Sequence, residues 1–187
     1  MMRTIALEEH FWAPALAAPP GTGILAMPGR EGLDERLRDL GDLRIADMDA
    51  AGIDVQVISH NTPAAQGFAP PESVVRAREA NDRLALAVRA HPDRFAGFAT
   101  LPTADSAAAA DELERATTDL GFLGAMVNST LGTNGVFLDD ARFEPLLDRA
   151  ERLDVPLYLH PSFPSPALRT PDIATEWLQG HRWDLML

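Results

Sequence analysis

The chain has 187 residues and a formal net charge of −12, with no cysteine, and arginine fills all 16 basic positions so that lysine is absent too. Without lysine there is no Schiff-base chemistry, no Walker-type phosphate loop and no carboxylated lysine bridging two metal ions; without cysteine there are no thiolate nucleophiles, cysteine zinc sites or disulfides. An apolar content of 46% with 24% charged residues is an ordinary globular mix, long enough for one domain with its own core, and acidic enough to argue against nucleic acid as a partner.

In chain order, short runs rich in branched residues alternate with longer helical patterns. The strands are expected at 4–10, 54–60, 95–101, 123–129 and 155–160. After the first strand, the longest uncharged run (11–29) carries Pro14, Pro19, Pro20 and Pro28, too many breaks for a membrane helix. The stretch 11–31 is therefore expected as a Pro/Gly-rich loop. A helix over 32–51 places Leu33, Leu37, Leu40 and Ile45 on one face and stops at Gly52. The next, over 72–90, buries Ala77, Ala80, Leu84 and Val88 and ends before Pro92. Asp105 is a natural N-cap for a helix over 107–120, and Gly121 a natural stop. The last helix starts near Pro145, a suitable first-turn residue, and carries Leu146, Leu147, Ala150 and Leu153.

This β-α alternation implies parallel strands joined by right-handed crossovers. Two architectures satisfy it: a doubly wound open sheet, or part of a (β/α)8 barrel of the TIM type. Glu8 and Glu9 fall where the apolar stretch of a signal peptide would lie, so the expected compartment is the cytoplasm, with no membrane span.

The densest chemistry lies at the end of the first strand. In extended chain Glu8 and His10 share a face, ~6.6 Å apart at Cα, while Glu9 points the other way. His160 closes the fifth strand, at the same carboxyl end where parallel α/β enzymes build their sites. Glu8, His10 and His160 make a His2Glu set, the protein-ligand count of a catalytic zinc site with room for water. His60 and Asn128, at the ends of the second and fourth strands, and Trp12, bordering the first, are candidates for lining a pocket. Asn61 shares that position, and Trp177 and Trp183 read as packing residues. Ser59 and His60 are adjacent on a strand, so they face opposite ways and are poorly placed as a nucleophile pair. The glycine pattern at 21–26 mimics a dinucleotide fingerprint but has proline on both sides instead of a strand and a helix, and is set aside.

The ordered segments ALEEHF (6–11), AREANDRLA (77–85), HPDRFAGFATLP (91–102), LGFLGAMVN (120–128), LDVPLYLHP (153–161) and WLQGHRW (177–183) resemble the amidohydrolase-related metal-dependent decarboxylases. Within that group they resemble most the γ-resorcylate (2,6-dihydroxybenzoate) and 2,3-dihydroxybenzoate decarboxylases, and more distantly aminocarboxymuconate-semialdehyde decarboxylase. The resemblance implies a (β/α)8 TIM-type barrel with a single divalent ion, zinc or manganese, acting on a small aromatic carboxylate, in a homo-oligomer, a dimer or tetramer. By position it makes Glu8, His10 and His160 metal ligands and places Asn128 in the substrate pocket. Glu at position 8 resembles the decarboxylases more than the hydrolytic members with a His-x-His start.

Members of that group continue for three further strands, which bring a metal-binding aspartate and a proton-transferring histidine. Both catalytic residues are thus expected beyond Leu187, the last residue here, which falls in the helix expected after the fifth strand. The resemblance therefore makes 1–187 the N-terminal part of one barrel domain, about five of its β/α units, expected to be inactive or nearly so alone. Two other readings stand beside the decarboxylase: a metal-dependent hydrolase such as a lactonase of the same superfamily, and a non-catalytic half-barrel that assembles with a partner chain.

Overall fold

The computed structural model describes residues 2–16, 32–60, 62, 64–131 and 136–161. Its elements are β1 (Ile5–Phe11), α1 (Leu33–Arg38), α2 (Asp42–Ala51), β2 (Val55–His60), α3 (Glu72–Ala90), β3 (Phe95–Ala99), α4 (Ser106–Thr118), β4 (Gly124–Asn128), α5 (Glu144–Leu153) and β5 (Leu157–His160), with single 3-10 turns at Ala64–Gly67 and Ala141–Phe143. Most of the expected loop (17–31), Asn61, the glycine pattern, Trp177, Trp183 and the 177–183 segment lie outside the described residues. So does Leu187, and with it the helix expected after the fifth strand.

The five strands run in the order β1-β2-β3-β4-β5, each parallel to its neighbour. A doubly wound sheet reverses its winding at a switch point and so breaks sequential order. An unbroken order with right-handed crossovers keeps every helix on one side and curls the strands toward a barrel. That decides between the two architectures: five β/α units of a (β/α)8 barrel form a curled half-barrel.

The alternation of each strand sorts its side chains between two apolar layers. Toward the helices lies the main core, built on Ile58, Phe95, Leu84, Leu113, Leu146 and Phe143. Burying each leucine there contributes about 2 kcal/mol. On the other face, Val57, Phe98 and Met126 form a smaller cluster with Tyr158, whose ring stacks on Phe98 at 5.9 Å between centroids.

The helix boundaries follow from local chemistry. Gly52 ends α2 with φ 70°, a left-handed conformation that is unstrained only for glycine. Asp105 caps α4, its carboxylate accepting from Ala108 N–H at 3.0 Å, and Gly121 follows with φ 75°. Pro145 stands in the first turn of α5. Gly124 opens β4 at φ 155°, where a Cβ would come within 2.3 Å of the Pro156 carbonyl, so strand pairing with β5 requires glycine.

One expected element is divided. The continuous helix over 32–51 is two helices, because Asp39 takes over the start of the second. Its carboxylate accepts from the Gly41 and Arg44 N–H groups at 3.1 and 2.9 Å, and its carbonyl accepts from Arg44 Nε. A side chain that satisfies free amides at a helix start stabilises a break there more than continuation would.

Two polar clusters are buried with the helical layer. Arg44 donates to the His10 carbonyl at 2.8 Å and to Gln56 Oε1 at 3.2 Å, while Gln56 donates to Glu9 at 3.0 Å. Between α3 and α4, Asn81 exchanges two hydrogen bonds with the Thr100 main chain and donates to Glu112 at 2.7 Å. Glu112, 1% exposed, also accepts a forked pair from Arg115. Among the described residues no helix is long and apolar enough to cross a membrane.

Candidate metal centre

β1 is not a regular strand. Its pairing with β2 slips by one residue between Ala6 and Glu9, and Glu8 sits at φ 62°, outside the strand region. The bulge resets which face each side chain takes. Glu9 turns to the helix side, where Gln56 and Arg44 hold it; burial raises its carboxyl pKa and Arg44 opposes the rise. Glu8 and His10 both reach the concave face, although Glu8 lies in the bulge and not in regular strand. The Glu8 carboxylate accepts from the Tyr158 hydroxyl, which raises that phenol's pKa.

His10 and His160 meet across this face. Their Nε2 atoms are 3.2 Å apart and the rings stand edge to face, 4.9 Å between centroids. β1 and β5 lie at opposite ends of the five-strand order, so only curling of the sheet brings these rings together. Burial, reinforced by the neighbouring His160 and partly offset by Glu8, lowers the His10 pKa from 6.5 to about 4. The ring is therefore neutral at physiological pH, the form that ligates metals. The second nitrogens differ: His10 Nδ1 lies 3.1 Å from Ser59 Oγ, whereas His160 Nδ1 is buried with no hydrogen-bond partner among the described residues.

Of the expected three ligands the structure thus brings two imidazoles into contact, with Glu8 on the same face. Among the described residues no three His, Asp or Glu side chains are gathered closely enough to make a complete metal cluster. The donor set, two imidazole nitrogens with a nearby carboxylate, suits a borderline divalent ion, and the orphaned His160 Nδ1 marks a polar site whose hydrogen bonding is incomplete.

Asn128 pairs in register with His160 on the neighbouring strand and so stands beside the two rings; it is 5% exposed. Trp12 is buried directly after β1, its main-chain N–H donating to the Leu37 carbonyl at 2.8 Å. His60 is buried edge-on to Phe11, with ring centroids 5.2 Å apart, on the face opposite Ser59. It is still near enough to His10 to act on that ring electrostatically, helping to lower its pKa.

Two residues near the centre gave no useful signal in the sequence. Ser59 came under notice only as a neighbour of His60, and it serves His10 instead. Gln66 sits in the 3-10 turn between β2 and α3, where no periodicity applies. Its carbonyl accepts from Asn128 N–H at 3.1 Å, while its buried Nε2 has no partner among the described residues.

The chain is similar to several known proteins along its length. The γ-resorcylate decarboxylase of Rhizobium sp. (strain MTP-10005) is 38% identical over 188 residues, covering 98% of this chain and 57% of that protein. The γ-resorcylate decarboxylase of Rhodococcus jostii (strain RHA1) is 40% identical over 191 residues, covering 98% of this chain and 58% of that protein. Among solved structures, dihydroxybenzoic acid decarboxylase from Polaromonas sp. JS666, with bound manganese and the inhibitor 2-nitroresorcinol, superposes with a TM-score of 0.82 at 38% identity, covering 98% of this chain and 55% of that one. The chain thus spans a little over half the length of these relatives. With residues 7–180 matching the amidohydrolase family along almost the whole of the half-barrel, the chain belongs to that family.

Proposed function

We propose that this chain carries the first-strand and fifth-strand ligands of a metal-dependent, non-oxidative decarboxylase of hydroxylated aromatic acids. The observation that carries the reading is the Nε2–Nε2 contact of 3.2 Å between His10 and His160. Two imidazoles gain little from one shared hydrogen bond, but they are well disposed as neighbouring ligands. Glu8, His10 and His160 would hold one divalent ion, manganese or zinc; manganese is present in the solved Polaromonas decarboxylase. When bound, such an ion supplies the positive charge that holds a carboxylate and an adjacent ring hydroxyl.

The chain's own residues then have distinct parts. His10 is kept neutral by burial and oriented by Ser59. Tyr158 holds the Glu8 carboxylate on the concave face. Asn128, beside His160, offers an amide to substrate oxygens, and Trp12 and His60 shape the surrounding wall. A domain of this chain's 187 residues would form the N-terminal part of the barrel. The aspartate and histidine expected of the complete reaction would follow Leu187 in the rest of that barrel. The substrate partner is a small aromatic carboxylate, the assembly a homo-oligomer and the compartment the cytoplasm.

Titration of the chain with Mn2+, followed by electron paramagnetic resonance, tests the metal reading. One equivalent should bind, His10→Ala and His160→Ala should abolish binding, and 2,6-dihydroxybenzoate should perturb the bound spectrum. Binding unchanged by both substitutions would refute it. Measuring carbon dioxide release against lactone ring opening then separates the decarboxylase from the hydrolase.

A further inference from the structure

An imidazole can give a metal ion only a nitrogen that carries no hydrogen, so the partner of its other nitrogen decides whether it is ready to bind. For His10 that partner is Ser59, its register neighbour on β2, 1% exposed, with Oγ 3.1 Å from Nδ1. A hydroxyl can donate to that nitrogen or accept from it, so the tautomer is decided at the other end of the histidine pair.

Two assignments are open, and the His160 side decides between them. With Nδ1 protonated, His10 Nε2 is bare, and the His160 Nε2 facing it at 3.2 Å must be the donor between them. His160 Nδ1 is then a bare acceptor, buried and without a partner among the described residues. The reverse assignment would bury an unpaired N–H at that position, the rarer and costlier defect. The two histidines are therefore unequal: one is already set to ligate, and the other must exchange its hydrogen between ring nitrogens first.

We propose that Ser59 is a positioning residue of this site, holding His10 as the Nδ1–H tautomer so that Nε2 is presented to a divalent cation before the cation arrives. The cation in this statement rests on the function proposed above, whereas the tautomer does not. The test separates them.

Ring-15N NMR of the chain in chelator should show His10 as Nδ1–H and His160 as Nε2–H. Saturating Zn2+ should convert His160 to Nδ1–H and leave the His10 tautomer unchanged. Ser59→Ala should move His10 toward the Nε2–H form and weaken Zn2+ binding, read by calorimetry, about 10-fold, the lower end for an outer-shell partner. Ser59→Thr keeps the hydroxyl and should restore both readouts. An Nε2–H tautomer of His10 in the unsubstituted, ion-free chain overturns the proposal, whether or not Ser59→Ala folds. So does a Ser59→Ala chain whose tautomer and Zn2+ affinity match the parent. If the parent chain binds no Zn2+, the metal reading fails while the tautomer still decides the role of Ser59.

Discussion

Glu112 between α3 and α4 and His160 at the end of β5 are both polar groups placed against the half-barrel's framework, and they are treated in opposite ways. Around Glu112 the donors are matched: Asn81 and Arg115 supply three hydrogen bonds to its two oxygens, and Asn81 closes its remaining groups on Thr100. The hydrogen bond to Glu112 pushes the Arg115 pKa still higher. Around His160 the pairing is unfinished, with one nitrogen against another histidine and the other against nothing described. The first cluster ties α3 and α4 to the end of β3, and its chemistry is complete within the chain. The second leaves ligating atoms uncommitted, which weakens the fold locally and suits a site that takes up something further.

The largest test of this contrast is removal of the carboxylate from the complete cluster. Glu112→Ala strands Asn81 Nδ2 and part of Arg115, and should cost about 3–4 kcal/mol in urea unfolding. A loss below about 1 kcal/mol would show that the network is not structural.

The next effect belongs to the incomplete cluster and depends on pH. The His10 pKa lies at about 4, below its ordinary 6.5. Above pH 6.5 the ring is neutral in both folded and unfolded chains. As pH falls from about 6.5 to 4 the unfolded chain takes up the proton first, so stability declines through this window, by on the order of 2 kcal/mol, and then levels off. In chelator, His10→Gln should flatten that segment of the stability profile; an unchanged slope would contradict the assignment.

A smaller loss is expected at the helix start below the Glu112 cluster. Asp105→Ala removes the cap on Ala108 N–H and should lower stability by about 1 kcal/mol, without affecting Zn2+ binding. The smallest change in stability is expected at the unfinished pair itself. His160→Gln, measured in chelator, should alter unfolding by less than about 1 kcal/mol while abolishing Zn2+ binding. A loss as large as that of Glu112→Ala would erase the distinction between the two clusters.

Much of this architecture can be read along the chain. The run of branched residues in β2, the cap at Asp105, the stop at Gly52 and the proline at the start of α5 are local signals, and each element forms where its own residues favour it. Two-residue spacing also put Glu8 and His10 on one face, but the bulge at Glu8 was not legible in that pattern. Asp39 escaped that reading because its side chain competes with helix continuation through hydrogen bonds that periodicity does not register. Ser59 and Gln66 escaped because their partners, His10 and Asn128, are 49 and 62 positions away.

The local pattern therefore determined the strands, the helices and the residues able to ligate, because backbone preference and side-chain period act over a few positions. It left two sheet architectures open, and strand order alone chose the half-barrel. Whether His10 and His160 meet was also a tertiary matter. They are 150 residues apart in sequence, and the accumulated curl of four parallel pairings brings their rings to 4.9 Å between centroids.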